Sequence, residues 1–465
     1  MAPLRVFNHY IPGQTLALFL GDVLILTASV YLGDWIRLVG LPPVWLGYPP
    51  VIPKVATFAL LGVLTLYVAG LYGHDPHLGC KELVARAMAA AVVWAILFAA
   101  LAFSVPGFRL GRLASLLGLG IGTAGVTALR WLFWLNTQTD RFRERVLFLG
   151  ATPMAEKLIS ELEANNQGYE VLGYVDDRPT PQIALNNGFR VLGKTHQLQE
   201  IVAASQANTI VVALAERRGA FPMQPILDCK LRGIRIEDWP AFYEKLTGKI
   251  LVQNLRPSWL VFSEGFTSTR FTRLVKRVFD LALSIPFLGL GWPVFLFVAM
   301  AIKLDTRGPV FFRQERVGEG GRTFTLVKFR TMVEEAETLT GPVWAIEKDP
   351  RITRVGRWLR KIRLDEFPQI LNVLKGEMSF IGPRPERPYF VAQLQEKIPY
   401  YANRHTVKPG ITGWAQIRYH YGATIEDAEE KLQYDLYYVK NVSLFLDMLI
   451  LLSSIQVVLF GRGAR

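Results

Sequence analysis

Two adjacent carboxylates, Asp365 and Glu366, sit at the end of a segment crowded with cations. Arg351, Arg354, Arg357, Arg360, Lys361 and Arg363 precede them, and Lys328, Arg330, Arg384 and Lys408 stand further off without a matching excess of acids. Neighbouring residues on a helical turn diverge by about 100°, so one carboxylate can face a phosphorus while the other holds a metal. Arg384 lies in Ile381-Gly382-Pro383-Arg384-Pro385-Glu386-Arg387-Pro388. The prolines stiffen the backbone there and present a guanidinium fork suited to phosphate oxygens. Together these residues read as phosphoryl transfer. The plainer alternative is that Asp365 caps a helix, with Pro368 in its first turn and Gly376 closing it.

The element that carries these cations has a second property. Ile352, Val355, Leu359 and Ile362 recur at helical spacing, with Trp358 beside them. A basic amphipathic helix bearing a tryptophan suits a membrane interface, and a solvated basic face is the competing reading. Composition favours the membrane: 51% of the 465 residues are hydrophobic and 20% are charged, against about 25% charged in ordinary soluble chains. These values exclude a disordered chain and argue against a wholly soluble one. Two cysteines, Cys80 and Cys229, exclude a disulfide scaffold and a four-thiolate zinc site. The net charge of +13 points to an anionic surface or a phosphate substrate, and nucleic acid is not an expected partner.

Four apolar blocks, 12–33, 55–73, 83–105 and 113–135, are each about long enough to cross a ~30 Å hydrocarbon core. Asp22 and Arg86 interrupt two of them and are expected to face a bundle interior or lie near an end. Pro42, Pro43, Pro49 and Pro50 belong to the first connection. The cluster Arg141-x-Arg143-x-Arg145 follows the last block directly and favours a cytoplasmic N-terminus. From 141 to 255 the chain reads as soluble α/β. The strands are expected at Val146–Gly150, Val171–Val175 and Thr209–Leu214, with a helix over Pro153–Glu163, giving a doubly wound, Rossmann-like sheet. The turn Gly150-Ala151-Thr152-Pro153-Met154-Ala155 keeps only the first glycine of a dinucleotide loop. Asp176 falls where a ribose-binding acid would sit, and a sheet used for packing or regulation without nucleotide is the alternative.

A further apolar stretch, about 278–304, contains Pro286, Gly289, Gly291, Trp292 and Pro293 near its middle and is cationic at both ends. Each limb is roughly half a bilayer long. A re-entrant helix broken at Trp292-Pro293 and a proline-kinked fifth span both satisfy the pattern. The segment 442–460 contains Asp447 and is long enough for another span.

Residues 272–460 resemble the catalytic domain of the monotopic phosphoglycosyl transferases, the bacterial sugar transferase family. The resemblance is carried by Lys276-Arg277-x-Phe279-Asp280, Gly308-Pro309-Val310-Phe311-Phe312-x-Gln314-x-Arg316-x-Gly318 and Lys328-Phe329-Arg330-Thr331-Met332. It continues through Leu364-Asp365-Glu366-x-Pro368-Gln369, Asn372-Val373-Leu374-Lys375-Gly376-x-Met378-Ser379 and Gly382-Pro383-Arg384-Pro385. Lys408-Pro409-Gly410-Ile411-Thr412-Gly413-Trp414-Ala415-Gln416 and Asp435-x-Tyr437-Tyr438-Val439-Lys440-Asn441 complete it. Two stretches depart from the family pattern: Trp292-Pro293 replaces a Ser-Pro break, and Arg418-Tyr419-His420-Tyr421-Gly422 replaces an Asn-Gly-Arg-Asn-like run.

The resemblance implies a four-helix transmembrane domain (1–140), a Rossmann-like domain (141–255) and a mostly helical catalytic domain (256–465) with a re-entrant helix. It also implies that 442–460 lies in the interface plane. In this scheme Asp365 attacks the sugar-bearing phosphorus of a UDP-hexose, with glucose favoured and galactose next. Undecaprenyl phosphate then accepts the phospho-sugar, at the cytoplasmic face of a bacterial inner membrane. Glu366 would bind Mg²⁺, and Lys328, Arg330, Arg363 and Arg384 would hold phosphate oxygens. The α/β domain offers a contact surface for a homodimer. A catalytically decayed scaffold or nucleotide sensor of polysaccharide assembly is the rival reading, and a polytopic transferase using direct attack is a second.

Overall fold

A computed structural model describes residues 4–6, 9–37, 51–73, 79–108, 110–137, 143–165, 168–178, 188–214, 221–253, 263–266, 269–333, 349–419, 422 and 424–460. The four prolines of the first connection, Arg109, Arg141, His420 and Tyr421 lie outside these residues. The chain forms two compact units, one of Met1–Val6 and Tyr10–Thr247, the other of Phe7–His9 and Gly248–Arg465.

Two short strands, β1 (Leu4–Val6) and β2 (His9–Ile11), open the chain, and the first unit continues into four apolar helices. These are α1 (Gly13–Arg37), α2 (Val51–Val68), α3 (Cys80–Ser104) and α4 (Arg112–Thr137). α1, α3 and α4 are long and apolar enough to cross a membrane, whereas the apolar part of α2 (Ile52–Val68) is shorter. Small residues let α1 and α4 approach closely: a Cβ on Gly33 would lie 2.9 Å from the backbone N of Gly118. Asp22 faces the bundle interior, as expected of a charge in such a helix. It is fully buried and receives both terminal nitrogens of Arg130 at 2.7 Å, with the Tyr72 hydroxyl donating at 2.5 Å. Arg86 pairs with Glu82 one turn earlier, near the start of α3.

The α/β part comprises β3 (Glu144–Leu149), α5 (Pro153–Asn165), β4 (Tyr169–Val175), β5 (Val191–Gly193) and α6 (Leu198–Ser205), then β6 (Thr209–Val212), α7 (Met223–Leu231), β7 (Arg235–Asp238) and α8 (Trp239–Thr247). The strands pair in parallel in the order β5-β4-β3-β6-β7, so the sheet winds outward in both directions from β3. Val146, Leu147, Phe148 and Leu149 are completely buried, which is why this strand reads as an unbroken apolar run.

The second unit begins around α9 (Arg270–Asp305), capped by the Thr269 hydroxyl accepting from the Thr272 amide. Its 36 residues form one uninterrupted helix with Pro286 and Pro293 inside it. Helical backbone continues through Trp292-Pro293, the position singled out in the sequence. Each proline withdraws a single amide donor, and the helical backbone continues past both. Both limbs pack on the same body. Arg277 donates to the Val373 and Leu374 carbonyls at 2.6 and 2.7 Å, while Asp280 accepts from the Ser379 hydroxyl and Phe380 amide at 2.9 and 3.0 Å. From the second limb, Phe295 meets Phe329 with ring centroids 4.8 Å apart, and Val298 and Ile302 are buried. Phe271, Leu290, Trp292 and Phe297 remain exposed along the same helix.

After α9 comes the antiparallel hairpin β8 (Phe311–Val317) and β9 (Thr323–Phe329). α10 (Arg354–Lys361) leads into a 3₁₀ turn (Leu364–Gln369) and α11 (Ile370–Lys375), which Gly376 ends in the left-handed region at φ 85°. β10 (Ser379–Ile381) pairs in parallel with β11 (Gly410–Thr412), and α12 (Pro388–Lys397) lies between them in sequence. α13 (Trp414–Arg418), α14 (Ile425–Lys440) and α15 (Leu444–Phe460) complete the unit. α15 buries Leu446 and Ile450 in the unit's core and leaves Leu444, Met448, Ile455 and Val458 exposed. Its Asp447 accepts from Lys276 at 2.6 Å and from the Tyr438 hydroxyl at 2.7 Å. That buried carboxylate ties α15 to α9 and α14.

Candidate active site

The β8–β9 hairpin supplies one wall of the site. Phe312 lies opposite Lys328, Gln314 opposite Leu326 and Arg316 opposite Phe324. Because side chains alternate along strands, Arg316, Leu326 and Lys328 share one face. The opposite wall is the 3₁₀ turn. α10 starts at Thr353, whose hydroxyl accepts from the Gly356 amide at 2.9 Å, and stops at Arg363, a non-glycine residue at φ 55°. Such a conformation is uncommon outside glycine and asparagine. It reverses the chain at once into Asp365-Glu366. The N-cap expectation for Asp365 gives way here: the cap position belongs to Arg363, and both carboxylates lie in the first turn. With three residues per turn, they diverge by about 120°.

Arg316, Leu326, Lys328, Asp365, Glu366, Gln369, Arg384 and Pro385 line a cleft of about 350 Å³. Arg384 reaches it from the extended segment after β10 and donates to Glu366 Oε1 at 2.6 Å. Its main chain is held from behind. Arg404, almost wholly buried, donates to the Arg384 carbonyl at 2.9 Å, to Asp435 at 2.8 Å and to the Tyr401 hydroxyl at 2.6 Å. Arg316 is held toward the cleft by the Pro385 carbonyl at 2.9 Å and Gln314 Oε1 at 2.7 Å.

The charges of the site are displaced from their ordinary states. Desolvation, together with the neighbouring Arg316, lowers Lys328 to about 8, and Asp365 partly opposes this. Burial raises the Asp365 carboxyl, and the charge of Glu366 adds to the rise, while Lys328, Arg360 and Arg384 pull it back. Burial would also raise Glu366, but Arg384, Arg363 and Lys328 outweigh it and hold that carboxyl below the usual range. Adjacent carboxylates pushed in opposite directions have different tasks available to them.

Of the residues singled out in the sequence, Lys328, Asp365, Glu366 and Arg384 come together in the cleft. Arg363 acts on Glu366 through its charge and shapes the turn. Arg330 does not reach the site. It is 5% exposed, and its guanidinium donates to the Arg307 carbonyl at 2.6 Å and to the Thr306 carbonyl and hydroxyl at 3.0 and 2.9 Å. It fastens the end of α9, and the reason is positional, since Arg330 stands just past the end of β9. Lys408 lies beside Gly376, and Arg418 stacks on Trp414 at 4.4 Å; neither lines the cleft. Arg316 and Arg360 were the omissions. The period of two from Lys328 back across the hairpin could have found Arg316. Arg360, which acts on both Asp365 and Lys328 while bonded to the Thr331 hydroxyl at 2.9 Å, left no comparable signal among the other arginines of α10.

Among the described residues no three His, Cys, Asp or Glu side chains cluster as metal ligands. Magnesium, however, is commonly held by one or two carboxylates together with substrate phosphates, and Asp365-Glu366 facing a cationic cleft fits that mode.

The family described as bacterial sugar transferase matches residues 271–461, and a CoA-binding domain family matches residues 68–220. The chain belongs to the bacterial sugar transferase family. It is similar to a UDP-N-acetylgalactosamine-undecaprenyl-phosphate N-acetylgalactosaminephosphotransferase of Aeromonas hydrophila, at 42% identity over 51% of this chain and 55% of that one. It is also similar to an undecaprenyl-phosphate glucose phosphotransferase of Komagataeibacter xylinus, at 33% identity over 70% of this chain and 61% of the relative. A UDP-glucose:undecaprenyl-phosphate glucose-1-phosphate transferase of Escherichia coli (strain K12) is 33% identical over 68% of this chain and 67% of its own length. The chain thus spans between about half and two thirds of the length of these relatives.

Proposed function

We propose that the protein transfers a hexose 1-phosphate from a UDP-hexose to undecaprenyl phosphate, releasing UMP, through a covalent intermediate on Asp365. The observation that carries this reading is the cleft itself, in which one carboxylate, Asp365, faces Lys328, Arg316 and Arg384 while its neighbour is held ionised. A carboxylate oxygen of Asp365 attacks the sugar-bearing phosphorus, the bond to the UMP oxygen breaks, and UMP departs with the electron pair. A phosphate oxygen of the lipid then attacks the same phosphorus and returns Asp365 as a free carboxylate. The cationic side chains neutralise charge on the non-bridging oxygens. Glu366, with Asp365 beside it, would hold Mg²⁺, which supplies charge neutralisation to the diphosphate when bound. One diphosphate is broken and one made, so the overall equilibrium lies near unity and added UMP reverses it.

The apolar helices and the exposed face of α9 support a membrane location for this chemistry. We place the catalytic unit at the cytoplasmic face of the inner membrane, where nucleotide sugars are made. α9 is then bent about Pro286 and Pro293 so that it enters and leaves by that face, and α15 lies in the interface. UDP-glucose is the first donor to assay. UDP-N-acetylgalactosamine and UDP-galactose follow, because the relatives are named for different sugars.

The test is the intact mass of the purified protein after incubation with donor and Mg²⁺ but no lipid. The expected result is a gain of one hexose phosphate in the wild type and none in Asp365→Asn. UMP release that requires lipid, with no adduct from any donor, would favour direct attack. Failure of both assays would favour the scaffold reading.

A further inference from the structure

The turn between β3 and α5, Gly150 to Ala155, occupies the place where dinucleotide-binding sheets receive a diphosphate on open helix-terminal amides. The matching family description names CoA. An anion site there needs free amides and room above the turn. The Ala151 amide instead donates to Asp176 Oδ2 at 2.7 Å. The Thr152 hydroxyl donates to the Ala213 carbonyl at 2.8 Å. On the far side, Arg178 closes over the same carboxylate: its amide and Nε donate to Oδ1 at 2.9 and 3.0 Å, and its Nη2 donates to Oδ2 at 2.7 Å. That same nitrogen also reaches the Ala151 carbonyl at 2.7 Å.

Gly150, at φ +102°, has the Ala213 carbonyl oxygen only 3.1 Å from where its Cβ would stand. The middle glycine of the usual fingerprint, where the backbone approaches a diphosphate, is replaced by the buried Thr152. Asp176 itself is 5% exposed. Burial would raise its carboxyl, but the bonds from Arg178 and Ala151 outweigh it and hold the carboxyl below its ordinary value. The acid that would reach a ribose hydroxyl in a dinucleotide-binding sheet is turned inward onto the turn. CoA or a dinucleotide does not fit the residues present.

We infer that the Asp176 carboxylate, clasped by Arg178, is the standing occupant of this anion cradle, so that the α/β domain takes no CoA or dinucleotide diphosphate at the turn. The carboxylate takes the Ala151 amide of the turn, which a ligand phosphate would take elsewhere, while the Thr152 hydroxyl accepts from the Ala155 amide of α5 at 3.4 Å. The sheet thereby folds as a closed packing module without a cofactor. The inference is independent of the transferase reading, since it concerns only the first unit.

Hydrogen exchange of peptides spanning 150–156 tests it in the full-length protein in detergent micelles. The proteins compared are wild type and Asp176→Ala, each alone and with CoA, NAD⁺ or inorganic phosphate at millimolar concentration. Asp176→Asn is the substitute should the alanine variant fail to fold. The wild type should be protected at Ala151 and indifferent to all three compounds. The variant should exchange about tenfold faster there, the factor that loss of one charge-assisted hydrogen bond corresponds to, and phosphate should restore protection. Phosphate can also enter the catalytic cleft, so only the 150–156 peptides are scored. Slowed exchange in the wild type with CoA or NAD⁺ overturns the inference. So does a variant that exchanges like the wild type, or one that is deprotected but unmoved by phosphate.

Discussion

Lys328 combines a functional requirement with an energetic burden. In the proposed reaction its ammonium serves both Asp365 and a donor phosphate, yet desolvation and Arg316 bring it down to about 8. Against the ordinary value of about 10.4, the unfolded chain binds the extra proton between the two, so this residue's contribution to stability rises with pH across that window. Activity runs the opposite way. Above pH ~8, kcat/KM for UMP release should fall by about tenfold per pH unit as the ammonium is lost. Lys328→Arg, whatever its absolute rate, should lack that limb, because a guanidinium stays charged. A profile from pH 7 to 10 that shows the same limb in both proteins would remove Lys328 from the site. Arg330 makes the contrasting case. Arg330→Lys should lower thermal stability by about 1–3 kcal/mol through the lost bonds to Thr306 and Arg307. The donor KM should stay within about twofold, since a residue outside the cleft contributes no binding that Lys328 and Arg384 do not already supply.

Elements meet at the turn that carries Asp365, and their fit is close. A Cβ on Gly291 of α9 would lie 2.2 Å from Phe367 Cζ, in a ring that also packs against Phe295. Phe367 directly follows Glu366, so this helix glycine makes room for the turn that carries the carboxylate pair. Gly291→Ala should cost about 1–3 kcal/mol by overpacking. It should also slow formation of the Asp365 adduct by about tenfold or more, the scale of loss that small misplacements at an active site produce. Adduct formation at the wild-type rate would show that the ring relaxes without moving the turn. The hydrogen bonds of Asp280 to Ser379 and Phe380 act on the other side, fixing β10 just before Gly382-Pro383-Arg384. A carboxylate on an otherwise apolar helix is thereby explained as a docking group.

At the scale of the whole molecule, buried polar ties join segments far apart in sequence. Arg404 holds the Arg384 carbonyl and is balanced by Asp435, whose own carboxyl is raised to about 6 by burial despite the guanidinium beside it. Asp435→Asn leaves Arg404 without its counter-charge and should cost about 3–5 kcal/mol of stability. Surviving protein should show a raised KM for the UDP-hexose, because Arg384 loses its anchored backbone. A melting curve and donor saturation on the same preparation would separate the two effects. His9 belongs to the second unit although α1 to α4 separate it in sequence from the rest. Its Nδ1 lies 2.8 Å from the Tyr437 hydroxyl, and its ring meets the edge of Trp414. His9→Ala should accordingly lower the thermal stability of the catalytic unit while leaving adduct formation on Asp365 intact.

The sequence by itself determined the family, most of the elements and the carboxylate pair among cations. Apolar runs of bilayer length, a buried strand such as Val146–Leu149 and a carboxylate pair among cations each depend on residues that are neighbours in the chain. Local spacing therefore reports them. The tertiary structure alone decided which cations serve the cleft. Arg316, Arg330, Arg360 and Arg384 carry the same charge, and only the hairpin register, the end of β9 and the Arg404 anchor place them at the cleft or away from it. It also decided that α9 keeps a helical backbone through Pro293 and that Asp176 faces inward. Both follow from contacts and hydrogen bonds made across the fold, which a pattern of residue types does not contain.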